Sequence, residues 1–156
     1  MLQRASYLSG GFEYDASDPD GFRAGVAQVG RLAGGRALAV KAFEVPPDQS
    51  ICPYHYEYEE EWLVVLEGSL LVRTPEGEEA AARGDVLCFP AGPDGAHRVT
   101  CAGEERAIVL MFSSAREPAV AVYPDSDKIG VWPGNKADDA LLYRRDGSVG
   151  YYDGEA

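Results

Sequence analysis

Histidine is nearly absent from this chain, with two copies, His55 and His97, among 156 residues. Cysteine is scarce and odd in number; Cys52, Cys88 and Cys101 cannot all pair with one another, so a disulfide framework is disfavoured and reduced thiols are expected. No apolar run approaches the roughly 20 residues that a helical membrane span needs. The opening Met1-Leu2-Gln3-Arg4-Ala5-Ser6-Tyr7 lacks the apolar core and cleavage pattern of a secretion signal, which makes a cytoplasmic location the expectation. Positive charge is outnumbered, 14 Lys and Arg against 26 Asp and Glu for a net charge of −12. A phosphate backbone is repelled by such a field, so nucleic acid is not an expected partner, and the acidity serves solubility. There is no Gly-x-Ser-x-Gly and no persuasive Ser–His–Asp grouping, and Gly30-x4-Gly35-Arg36 lacks the Lys-Ser/Thr end of a phosphate loop.

What remains is 46% hydrophobic and 10% aromatic, a composition that folds, in a length that suits a single domain over residues 1–156. Residues 1–21 are rich in turn formers. Phe22, Val26, Val29 and Leu32 recur at helical spacing among glycines, which leaves a short helix or an irregular strand open. Arg36–Val45 alternates as a strand. Apolar runs follow at Trp62–Leu66, Leu70–Val72, Val86–Phe89 and Ala107–Phe112, separated by Gly, Pro and Asp turns at intervals of about eight to ten residues. That rhythm predicts an all-β antiparallel sandwich or barrel over 36–114, preceded by an arm over 1–35. Residues 115–156 read as a wrapping extension carrying a hairpin turned at Asp146-Gly147. Strands such as Trp62–Leu66 are apolar on both faces; one face fills the barrel and the other meets a second sheet, an arm or a partner subunit. A homodimer is therefore expected.

Alternate strand residues share a face, so a straight strand points His55, Glu57, Glu59 and Glu61 one way and Tyr54, Tyr56 and Tyr58 the other; a bend near 58–60 scrambles the middle of the set but keeps His55 with Glu57. His97 follows a tight turn at the head of another strand and can approach from across the barrel. Imidazole and carboxylate donors together suit one divalent ion, Fe, Mn, Zn, Ni or Co. His55, Glu61 and His97 make a three-donor set with open positions; Glu57 is either a fourth ligand or a catalytic general base. Glu59 and Glu60 read as an ordinary exposed acidic run. A closed zinc site of Cys52, His55, His97 and Cys101 is the rival, but it ignores the carboxylates. Cys88 reads as a small buried hydrophobe, Trp62 and the tyrosines as packing, and Arg73 and Arg98 as solvated strand-edge cations.

The segment His55-x-Glu57-x3-Glu61-x6-Gly68 resembles the first motif of the cupin superfamily, Gly-x5-His-x-His-x3–4-Glu-x6-Gly. Gly84-x5-Pro90-x-Gly92 followed by His97 is similar to the second, Gly-x5-Pro-x-Gly-x2-His-x3-Asn. The likeness spans roughly residues 36–114. The whole chain looks most like the small single-domain bacterial cupins with a Pro-Tyr-His-Tyr segment and a Pro-Asp-Ser-Asp-Lys stretch, here Pro124–Lys128. It implies a double-stranded β-helix, or jelly-roll barrel, with metal ligands at His55, position 57, Glu61 and His97. Glu57 stands where the motif has its second histidine, Asp48 near a usual glycine and Cys101 at the place of the asparagine. Two extra residues separate Gly92 from His97. The family includes dioxygenases, decarboxylases, isomerases and cyclases, so two function classes follow. One is a metal-dependent enzyme of the oxygenase, isomerase or decarboxylase type on a small polar molecule; the other is a non-catalytic binding or sensor domain with a structural or absent metal.

Overall fold

The computed structural model describes residues 2–134 and 139–155. The strands are β1 (Gly25–Ala27), β2 (Leu38–Val45), β3 (Tyr56–Glu57), β4 (Glu61–Glu67), β5 (Ser69–Thr74) and β6 (Gly77–Ala82). They continue as β7 (Val86–Phe89), β8 (Arg98–Cys101), β9 (Ala107–Ser114), β10 (Ala119–Tyr123), β11 (Lys128–Trp132) and β12 (Leu141–Arg144). Every named strand pairing is antiparallel. One sheet runs β1-β2-β9-β4-β7, a second β6-β5-β8 and a third β12-β11-β10-β3. The last two are stitched together because residues 50–57 run along β8: Ser50 bridges Thr100 and His55 bridges His97. The result is an antiparallel barrel, as the turn rhythm predicts, in the double-stranded β-helix form that the family resemblance implies. No described helix is long and apolar enough to cross a membrane.

The core lies between the five-stranded sheet and the β5-β8 face. Val45, Leu63, Val65 and Val109 come from one side and Leu70, Val72, Val99 and Cys101 from the other, each almost without solvent exposure. A smaller cluster forms where Tyr54 and Tyr56, on the outward register, pack with Ala96, Val122 and Ile129. The glycine-interrupted stretch 22–35 contains both anticipated forms, the short strand β1 and one helical turn, α1 here (Val29–Leu32). That turn seats Gly30 against Val40, where a side chain would be about 2.9 Å from the β2 backbone.

Three expectations change. Asp146-Gly147 falls in a 3-10 turn and Ser148–Tyr152 forms no strand; the C-terminal hairpin is β11 with β12. Cys88 is exposed, because β7 is an edge strand and Cys88 lies opposite Trp62 on the outer face of its sheet. Arg73 is not free: its guanidinium donates to both carboxylate oxygens of Asp125 and lies over the Tyr54 ring.

Candidate metal centre

The two histidines meet because their backbones do. His55 N–H donates to the His97 carbonyl at 3.1 Å and His97 N–H donates back at 2.8 Å, the reciprocal pair of an antiparallel ladder. Directly opposed residues project from the same face, and the ring centroids are 4.8 Å apart. His97 is set by the turn before it. Gly92 adopts φ +88 and donates its N–H to the Glu57 carbonyl, and a 3-10 turn over Pro93–Gly95 follows. Gly95 can be no other residue, since a Cβ there would lie 1.7 Å from the Pro90 carbonyl oxygen.

Glu61 comes from the opposing sheet, at the first residue of β4. Its Oε2 lies 3.7 Å from the Nε2 of both histidines. One donor atom each from His55, Glu61 and His97 falls within 4.8 Å of the others. The ring tautomers are set by neighbouring carbonyls: Nδ1 of His55 lies 3.0 Å from the Pro53 carbonyl and Nδ1 of His97 2.9 Å from that of Gly95. A carbonyl can only accept, so each Nδ1 carries its proton and each Nε2 presents a lone pair to the shared space. His97 Nε2 is buried with no hydrogen-bond partner. A buried lone pair without a donor is costly unless a cation fills the gap, so the residues present fit a divalent ion.

Burial tunes the protonation states. Desolvation pushes His97 down to about 4, with the His55 charge adding to the effect, and also lowers His55. Both rings are neutral at pH 7, the form that ligates. Desolvation and then the Glu57 charge push Glu61 up to about 8, against the opposing ammonium of Lys41. Glu57 is likewise raised, mainly by burial.

Glu57 lies outside the three-residue group but lines the same cavity, of about 1140 Å3, with His55, Glu59 and Glu61. Glu59 departs from the exposed-run expectation: it is half-buried and accepts a 2.6 Å hydrogen bond from the Ser114 hydroxyl, while Glu60 stays exposed. Neither thiol of the rival zinc site joins the cluster. Cys101 lies in the core, its Sγ donating to the Glu105 carbonyl, and Cys52 sits behind His55 against the already protonated Nδ1.

Three residues escaped the sequence reading. Phe89, the cross-strand partner of Glu61, stacks on the His97 ring at 3.7 Å and 10°. Tyr123 stacks on His55 at 5.8 Å, its hydroxyl pushed up to about 12 chiefly by burial. Lys41 enters the cavity from β2. Only Lys41 left a sequence signal, sharing its register with inward Phe43 and Val45.

Fold and cluster together define a double-stranded β-helix protein with two imidazoles and a carboxylate converging between its sheets. Residues 42–113 match the family model of the cupin domain. The chain superposes on a candidate sugar phosphate isomerase of Acidithiobacillus ferrooxidans at TM-score 0.80, 20% identity, covering 92% of this chain and 90% of that one. A cupin-superfamily sugar phosphate isomerase of Silicibacter pomeroyi gives TM-score 0.78, 24% identity and coverage of 95% and 96%. The polyketide cyclase RemF of Streptomyces resistomycificus gives 0.62, 20%, 76% and 84%. At these identities the likeness is one of fold. No curated protein matches the sequence.

Proposed function

We propose that this protein is a metal-dependent enzyme acting on a small polar organic molecule in the barrel mouth. His55, Glu61 and His97 hold one divalent ion, and the reaction is of the isomerase type. The buried, unpartnered Nε2 of His97, facing Glu61 beside a second neutral imidazole, is the observation that carries the reading. Bound there, a divalent ion supplies Lewis acidity to a carbonyl or hydroxyl oxygen of the substrate. Glu57 is close enough for its charge to raise Glu61, and burial moves its own proton affinity toward neutral pH. That is the condition for a group that takes and returns a proton, so Glu57 is assigned as general base rather than ligand. Phe89 and Tyr123 hold the imidazole planes by stacking. The names of two fold relatives point to isomerisation as well, as an analogy at the level of fold.

The test is elemental analysis of purified wild type and of His55→Ala, His97→Ala and Glu57→Gln. The proposal expects one divalent ion per chain in wild type and in Glu57→Gln, and none in either histidine variant. Turnover with exchange of substrate hydrogen for solvent deuterium is expected of wild type and not of Glu57→Gln. Stoichiometric metal in both His55→Ala and His97→Ala overturns the site; turnover that consumes dioxygen or releases carbon dioxide overturns the isomerase assignment. A homodimer is proposed from the exposed outer-face residues Trp62 and Val86, and sedimentation showing only monomer at micromolar concentration refutes it.

A further inference from the structure

This acidic protein has concentrated cations at one place. Four of its 14 basic residues, Arg31, Arg36, Lys41 and Arg116, line the cavity that holds the candidate metal centre. Arg116 is engaged with Glu59 at 3.7 Å. The other three have no carboxylate within 4 Å among the described residues. In a chain with 26 acidic side chains, unpaired cations in a concave site are not explained by solubility.

The register places them. Across the five-stranded sheet, Ala39, Ser113 and Glu61 form one row, and Lys41, Met111 and Leu63 form the next. Met111 and Leu63 of that row are core residues, as are Phe43 and Val45 along β2, so Lys41 is on the inward face. It is nevertheless exposed, because the open cavity lies over it. Lys41 is two strands from Glu61, about 10 Å sideways at the usual strand spacing. Its charge is felt at Glu57, Glu61 and Cys52. Arg36 precedes the end of the β2–β9 ladder, where Ala115 N–H donates to the Ala37 carbonyl, and Arg31 lines the same cavity from α1. An ion bound by Glu61 would neutralise the acidic end of the cavity and leave a cationic end opposite.

Resting on the proposed enzymatic reading of the same cavity, we propose that Lys41, with Arg36 and Arg31, seats the phosphate of a small phosphomonoester whose other end reaches the His55/Glu61/His97 centre. One ammonium with two guanidinium forks suits a dianion with several acceptor oxygens better than a carboxylate, and the cavity has room for both ends of such a molecule. In this arrangement the seat positions the substrate and the metal centre reacts with it.

The test uses inorganic phosphate and D-ribose 5-phosphate as probes, with D-ribose as the uncharged control, in titration calorimetry on metal-depleted full-length protein. Wild type is expected to bind both anions saturably in the millimolar range or tighter and D-ribose measurably less. Lys41→Met and Arg36→Gln should each weaken the anions by about tenfold or more, with D-ribose unchanged. His97→Ala should keep phosphate binding while losing metal, so the two readings fail separately. Lys41→Met is exposed and removes no packed side chain, and its circular dichroism should match wild type. Phosphate binding unchanged in both Lys41→Met and Arg36→Gln, or absent in wild type, overturns the seat whatever the metal analysis returns.

Discussion

Metal affinity in this cavity should be governed by one proton, the one on Glu61. In the metal-free protein burial and the Glu57 charge hold that carboxyl up to about 8, whereas His97 is pushed down to about 4 and His55 is also lowered. Between pH 6 and 8 His97 is neutral throughout and the lowered His55 is mainly neutral from pH 7 upward, so Glu61 is the ligand that must lose a proton. With Glu61 half ionised at pH 8, the loss in affinity is about fivefold from pH 8 to pH 7 and about 50-fold from pH 8 to pH 6. Mn(II) titration calorimetry at pH 6, 7 and 8, in buffers of different ionisation heat, reads both the affinity slope and the release of about one proton. Glu61→Gln should bind more weakly and lose the slope. An affinity flat from pH 6 to 8 in wild type, or a slope that persists in Glu61→Gln, refutes the assignment. Stability of the metal-free protein gives a second reading of the same charges. The raised Glu61 contributes stability that is fully present below its ordinary 4.5 and lost as pH rises through about 8. The depressed His97 contributes stability that is present above its ordinary 6.5 and lost as pH falls through about 4. The metal-free thermal midpoint should therefore be highest between about pH 4.5 and 6.5 and fall on both sides.

Other substitutions test the scaffold. Gly95→Ala forces a Cβ onto the Pro90 carbonyl and should cost about 3 kcal/mol in urea unfolding, with loss of metal because His97 is displaced. Leu63→Ala empties a site with no solvent exposure and should cost about 2–5 kcal/mol. Asp125→Ala breaks a bidentate pair whose side chains are 34% and 50% exposed, so solvent screening should hold its cost below about 1 kcal/mol; a larger loss would show that the Arg73–Tyr54 stack depends on it.

Much of this fold is written locally and so could be read from the chain. The turn residues between apolar runs delimit β4, β5, β7 and β9 to within about two residues. His55, Glu57, Glu59 and Glu61 do line one cavity, but the chain bends at 58–60 and passes from β3 to β4 in the opposing sheet, so they reach it from two sheets rather than from one straight strand. The misread elements are those whose fate depends on distant partners. β6, Gly-Glu-Glu-Ala-Ala-Ala, has neither β-branched nor aromatic residues and is a strand only because β5 offers its edge. Cys88 sits in an apolar run, yet exposure follows from β7 having a neighbour on one side only. The Asp146-Gly147 turn is followed by no strand, and β12 keeps β11 as its one named partner.

The site shows the same division. His55 and His97 are 42 positions apart, and what unites them is a single ladder rung, invisible without the pairing of residues 50–57 along β8. Glu61 reaches that rung from the opposite sheet, so the cluster exists only when both sheets are docked. Lys41 is the converse case: a charge in an inward register conflicts locally with the core pattern around it, which marks a position that opens onto solvent inside the fold. A methionine there would fit the strand at least as well. The fold gains nothing evident from that ammonium, and the unpaired charge facing two glutamates across an open cavity is intelligible as a contact made to something the protein binds.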